Sequence, residues 1–180
     1  MKKLKNSELN RISVSEFKNA SKSPIIIILD NIRSAHNVGS IFRTCDAFLI
    51  HEIILCGITA TPPNNEIRKT ALGSTESVDW RYFDNIEEAV LSLKKEGFQI
   101  ISIEQADKSL KLEKFRPKKN EKYAFIFGNE IKGIDQKIID ISDNIIEIPQ
   151  FGTKHSLNVS VSAGIVIWDV FSKISFSQFD

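Results

Sequence analysis

Cysteine is scarce in this chain of 180 residues, with only Cys45 and Cys56, and neither belongs to a CxxC or Cys/His pattern. That spacing offers no disulfide framework and no zinc site, so both read as core thiols in a reducing compartment, and the cytoplasm is the expected location. Long apolar runs are missing too. The longest, residues 25–29, is far too short to span a bilayer, so no membrane attachment is expected. The opening MKKLKNSELN is basic but has no apolar segment behind it, which argues against a secretory signal. Charge of one sign is not in excess: 24 Lys+Arg stand against 23 Asp+Glu. A strongly basic balance would point to a polyanionic partner, and this chain gives no such sign. Its basic groups gather only locally, at Lys2-Lys3-Lys5, Arg68-Lys69 and Arg116-Lys118-Lys119 with Lys122.

Nucleotide fingerprints are also lacking. No GxGxxG occurs. The loop Gly128-Asn129-Glu130-Ile131-Lys132-Gly133 has Ile134 and Asp135 where a P-loop requires Lys and Ser/Thr. His36, His51 and His155 fall on separate elements without metal-ligand spacing, so no metal is expected. His155 and Ser156 are neighbours, but no nucleophile elbow surrounds them.

What is present is the composition of a globular domain, 42% hydrophobic and 26% charged. The length suits a single α/β unit. Ser13-Val14-Ser15-Glu16 has the form of a capping box opening a short helix, which Pro24 would end. Strands are expected over residues 25–29, 52–56, 99–103, 123–127 and 145–148, with an edge strand over 78–83. Helical spacing covers 38–48, 86–95, 134–141 and 157–173, while 59–65 and 106–120 read as loops and 70–77 as a small, polar stretch. Strands alternating with helices predict a mainly parallel sheet with helices on both faces.

Ligands of open α/β sheets bind beyond the carboxyl ends of the strands. Three such ends carry unusual loops: residues 30–43, 128–133 and 148–158. Their polar groups should meet in one crevice. The first supplies Asn37 and, on the helix behind it, Arg43, which follows Ile41-Phe42 and precedes Cys45 on an otherwise apolar helix. The second supplies Glu130, either a plain loop carboxylate or a site residue. The third runs Ser156-Leu157-Asn158 into an apolar helix, where one polar side chain would suffice as a cap.

Taken together, the three loops resemble one family. Asn37-Val38-Gly39-Ser40-Ile41-Phe42-Arg43-Thr44 is similar to motif 1 of the SpoU-type (TrmH-like) RNA 2′-O-ribose methyltransferases of the SPOUT class. Phe127-Gly128-Asn129-Glu130-Ile131-Lys132-Gly133-Ile134 resembles their motif 2. Ile148-Pro149 with Ser156-Leu157-Asn158-Val159-Ser160-Val161 resembles motif 3. The likeness extends over residues 24–168, in matching order and spacing.

The resemblance implies a C-terminal deep trefoil knot, a homodimer, S-adenosyl-L-methionine as cofactor and a ribose 2′-hydroxyl of RNA as methyl acceptor, with tRNA favoured and rRNA possible. By motif position, Gly128, Ile148 and Leu157 would contact the cofactor. Arg43, Asn37, Glu130, Ser156 and Asn158 would form the catalytic set. A guanidinium stays protonated in ordinary protein settings, so clamping a phosphate and stabilising a developing alkoxide suits Arg43 better than acting as a base. A single domain is expected over 1–180, with 1–23 as a short extension and no separate RNA-binding domain. The other reading is a non-catalytic RNA- or nucleotide-binding module on the same scaffold, which would have no need of Arg43, Glu130 and Asn158 together.

Overall fold

The computed structural model describes residues 1–5 and 8–176. Seven strands form one sheet: β1 (Ser23–Asp30), β2 (Ile50–Cys56), β3 (Asp79–Phe83), β4 (Phe98–Ile103), β5 (Leu110–Lys111), β6 (Lys122–Phe127) and β7 (Asn144–Glu147). Their order is β3-β2-β1-β6-β4-β7-β5, and every pairing is parallel. The helices are α1 (Val14–Asn19), α2 (Ala35–Ala47), α3 (Asn65–Ala71), α4 (Ser74–Ser77), α5 (Ile86–Lys95), α6 (Gln136–Ile141) and α7 (Val159–Phe176).

Strand alternation divides the core into two layers. Ile25, Ile27 and Leu29 of β1 face one layer, where Val38, Ile41 and Phe42 of α2 and Ala163, Val166, Ile167 and Val170 of α7 pack. Ile26 and Ile28 face the other, against Ala89, Val90 and Leu93 of α5 and Ile138 of α6. Both faces are therefore covered, which is why the central strands read as unbroken apolar runs. Cys45 and Cys56 are buried and unpaired. Among the described residues, no helix is long and apolar enough to cross a membrane.

Local chemistry accounts for most boundaries. Ser13 and Glu16 close the predicted capping box at α1, but that helix ends at Asn19, before Pro24 is reached. Gly97, at φ +83°, follows α5 as expected of a helix end. Two short helices, α3 and α4, form between residues 65 and 77, where the sequence reading places no helix and describes 70–77 only as small and polar. Asn64 caps α3 through the backbone N–H groups of Glu66 and Ile67. The close approach of α2 explains why α3 forms despite its weak apolar pattern. A Cβ on Gly39 would lie 2.2 Å from Thr70 Oγ1 and 2.3 Å from the Ile67 carbonyl oxygen.

Chain order places the site. From β1 the chain passes through α2 on one face, and from β6 it passes into α6 on the other. Loops leaving two adjacent strands in opposite directions open a crevice at their carboxyl ends. After β7, residues 148–158 lead back to α7, which packs against α2.

Candidate active site

The N-terminus of α2 is the anchor. Ser34 caps the helix by accepting from the Asn37 N–H at 3.3 Å. The N–H groups of Arg33 and Ser34 lie just ahead of the first turn, and the Glu130 carboxylate accepts from both, at 3.0 and 3.3 Å. A carboxylate there meets unpaired donors and the positive end of the helix dipole. Burial works to raise the Glu130 pKa, but the N–H groups of Arg33, Glu130 itself and Ser34 outweigh it, with a smaller contribution from the Asn37 side chain. Glu130 is therefore held below its ordinary value and is ionised at neutral pH. Beside it, Asn129 Nδ2 donates to the Asn31 carbonyl at 2.7 Å, while Asn129 Oδ1 accepts from the N–H groups of Ile131 and Lys132. The loops after β1 and β6 are thus tied together.

Asn158 brings in the third loop. Its Oδ1 caps α7 by accepting from the Ser160 N–H at 2.9 Å, and its Nδ2 donates to Asn37 Oδ1 at 3.2 Å. The residue is a helix cap and a cross-link at once.

A cavity of about 560 Å³ opens beyond the ends of β4 and β6, lined by Gly128, Glu130, Gly133, Ser156, Val159 and Ser162 among others. Gly128 is a glycine of necessity: a Cβ there would sit 2.5 Å from the Gly133 carbonyl carbon and 2.6 Å from the Ile134 nitrogen. Gly133 turns at φ +68°, and its missing side chain leaves room for Glu104 Oε2, which accepts from the Ile134 N–H at 3.1 Å. Gln105 Nε2 donates to the His155 carbonyl at 2.7 Å, fastening the third loop over the cavity. Ile148 and Ser156 line a smaller recess of about 90 Å³ that shares Glu104 and Gln105 with the cavity.

The residues singled out from sequence are only partly gathered here. Gly128, Glu130 and Ser156 line the cavity, Ile148 lines the adjoining recess, and Asn37 and Asn158 meet each other but line neither space. Leu157 lines neither space and is 38% exposed. Arg43 lies elsewhere. It is exposed on α2, its side chain has no ion pair or hydrogen bond among the described residues, and it lines a separate recess of about 470 Å³ with Ser40, Thr44, Lys69 and Thr70. Glu104 and Gln105 belong to a fourth loop that the three-loop reading of the sequence leaves out. The sequence does carry a signal for them: they are a polar pair directly after an apolar strand, as Asn129 and Glu130 follow β6 one glycine later.

An all-parallel open sheet with a loop-lined cavity at its carboxyl edge defines a ligand-binding α/β protein. The family model of the SpoU rRNA Methylase family matches residues 24–168, and the chain belongs to that family. It is 33% identical over 149 residues to the 23S rRNA (guanosine-2′-O-)-methyltransferase RlmB of Neisseria meningitidis, covering 83% of this chain and 58% of the relative. It is 32% identical over 146 residues to the tRNA (guanosine(18)-2′-O)-methyltransferase of Aquifex aeolicus, covering 81% and 67%. The chain thus spans about three-fifths to two-thirds of the length of these relatives. Among solved structures, the A. aeolicus TrmH/SpoU tRNA modifying enzyme superposes with a TM-score of 0.80 at 25% identity, covering 92% of this chain and 84% of that one. An AdoMet-bound rRNA methyltransferase from Sinorhizobium meliloti superposes at 0.79 with 24% identity, over 89% and 61%, a likeness of fold.

Proposed function

We propose that this protein transfers a methyl group from S-adenosylmethionine to a ribose 2′-hydroxyl of RNA. The observation that carries the reading is the Glu130–Asn37–Asn158 arrangement beside a glycine-floored cavity, in a chain whose family members include named RNA 2′-O-methyltransferases.

The cavity fits the cofactor by size and chemistry. Its volume lies in the range of small-molecule sites, and bare backbone at Gly128 offers close hydrogen bonding to an adenine edge. Gly128 and Ile148 would hold the adenosine part, with Leu157 closing over it from the exposed loop. When bound, the cofactor supplies a methyl group already activated on a sulfonium, so the protein's task is alignment and charge.

That task falls to residues on the α2 side. Arg43, exposed and without an ion pair or hydrogen bond among the described residues, is free to grip the phosphate beside the target ribose from the recess that it lines on α2. Glu130, held ionised, fixes the start of α2 and with it the placement of Asn37 and Arg43. Ser156 and Asn158 hold the same network from the third loop.

Among RNA classes tRNA is favoured, because a solved structure matched over 92% of this chain and 84% of its own is a tRNA modifying enzyme. We read the working form as a cytoplasmic homodimer. Its support is the apolar row Leu157, Val161 and Ile165, which is 38, 50 and 38% exposed at successive turns of α7 and just before it. The trefoil knot is part of the same reading. It is supported by the route of residues 148–158 from β7, which lies between β4 and β5, back to a helix packed on α2.

Nucleoside mass spectrometry of RNA from cells with and without the gene tests the reaction, with Arg43→Ala as the third strain. One ribose methyl should vanish in the deletion strain and stay absent with Arg43→Ala. Calorimetry with S-adenosylmethionine separates the alternative, since a pure RNA-binding module would release no heat.

A further inference from the structure

The recess that holds Arg43 contains a second cation. Ser40, Arg43 and Thr44 lie on one face of α2, and Lys69 and Thr70 of α3 form the facing wall of the same space of about 470 Å³. Two positive side chains around one opening offer charge and N–H donors to an anion with several oxygens, while the hydroxyls of Ser40, Thr44 and Thr70 already donate to backbone carbonyls and help to fix the wall. The wall is fixed rather than fortuitous. Gly39 permits α3 to lie almost in contact with α2, and Thr70 Oγ1 donates to the His36 carbonyl at 2.9 Å. The separation of Lys69 from Arg43 is therefore set by the packing of two helices.

Lys69 is held in reserve by its neighbour. Its Nζ lies 2.7 Å from Glu66 Oε1, and Glu66 Oε2 lies 2.8 Å from His36 Nε2. The Lys69–Glu66 pair is well exposed, so water screens it and the link contributes little to stability. A phosphate arriving beside Arg43 competes well for that ammonium group.

We infer that Lys69 is a positioning residue for the RNA backbone, forming with Arg43 a two-armed clamp on a phosphate next to the methylated nucleotide. The assignment rests on the RNA methyltransferase reading. Lys69 touches the backbone and not the reacting ribose, so its loss should weaken RNA binding and leave the chemical step intact.

The test uses a fluorescein-labelled single-stranded RNA of random sequence, followed by polarisation across a salt series, with the full-length protein. Lys69→Met should weaken binding about tenfold at low salt and reduce the salt slope by about one. Lys69→Arg should restore most of the affinity. Glu66→Gln should tighten binding, because it removes the competing carboxylate. On the unmethylated acceptor RNA, Lys69→Met should raise KM with little change in kcat. Wild-type and Lys69→Met curves that coincide at every salt concentration overturn the clamp, as does a Glu66→Gln protein with weakened binding. Failure of the methyltransferase reading shows separately, as absence of cofactor heat in the wild type.

Discussion

Asn158 and Asn37 hydrogen-bond side chain to side chain at 3.2 Å, joining the start of α7 to the start of α2 across 121 residues of chain. Because Asn158 also caps α7, a deletion at this position confounds two effects. Asn158→Ala should cost roughly 1 kcal/mol from the lost cap. Asn158→Asp keeps an Oδ to cap the helix but replaces the Nδ2 donor with an acceptor facing Asn37 Oδ1. Thermal melts and initial rates should then separate, with Asn158→Asp melting near wild type and turning over far more slowly. Equal activity in the two proteins would confine Asn158 to capping.

Glu130 gives a prediction in pH. Its pKa is below the ordinary 4.5 in the folded protein, so the folded state binds the proton less readily than the unfolded chain does. The stability it contributes is fully present above about pH 4.5 and is lost as pH falls through the lowered folded value. Glu130→Gln should therefore be less stable than wild type at neutral pH, with the gap closing under acid. Urea midpoints measured from pH 7 down to about pH 3 provide the check. A gap that stays constant across the series would mean that the carboxylate's charge is not what the Arg33 and Ser34 N–H groups stabilise.

Much of this arrangement is legible in the amino-acid sequence. The β-branched run at residues 25–29 and the apolar stretch at 123–127 announce buried parallel strands, because such strands need no polar face. Convergence of the loops after β1 and β6 follows from the rule that open sheets bind ligands at their carboxyl edge. The short helix α3 does not show, since its formation depends on packing against Gly39 of α2, a tertiary contact with no local signature. Arg43 shows the limit of spacing arguments. Six residues past Asn37 on a helix, it turns toward Lys69 and away from the cavity that Gly128 and Ser156 line, and no periodicity distinguishes those directions.

The glycine floor predicts a defect confined to the ligand. Gly128→Ala would drive a methyl group into the Gly133 carbonyl and the Ile134 nitrogen, both backbone atoms that no rotamer change can move aside. The loop must shift, and the cavity it floors shifts with it. Cofactor affinity should fall by at least about tenfold, since displacement of this order costs more than about 1.4 kcal/mol. The β1 and β6 ladders lie outside the strained turn, so circular dichroism should be unchanged. Gly152→Ala is the matched control, because nothing lies within 4 Å of its Cβ position. Undiminished binding of S-adenosylmethionine by Gly128→Ala would detach the cofactor from this cavity.

The exposed row on α7 predicts its own partner. Val161 and Ile165 sit four residues apart, half- and one-third exposed, while Ala163, Val166 and Ile167 on the opposite side are fully buried in the chain's own core. A helix that buries one apolar face and leaves a second in water has surface to offer another copy. Val161→Glu with Ile165→Lys places charges on that second face without touching the first, so folding should survive. Sedimentation velocity should then show monomer where the wild type shows dimer, with melting unchanged at high dilution, where the wild type is itself dissociated. If the double variant sediments as the wild type does, the row on α7 is not a seam between copies.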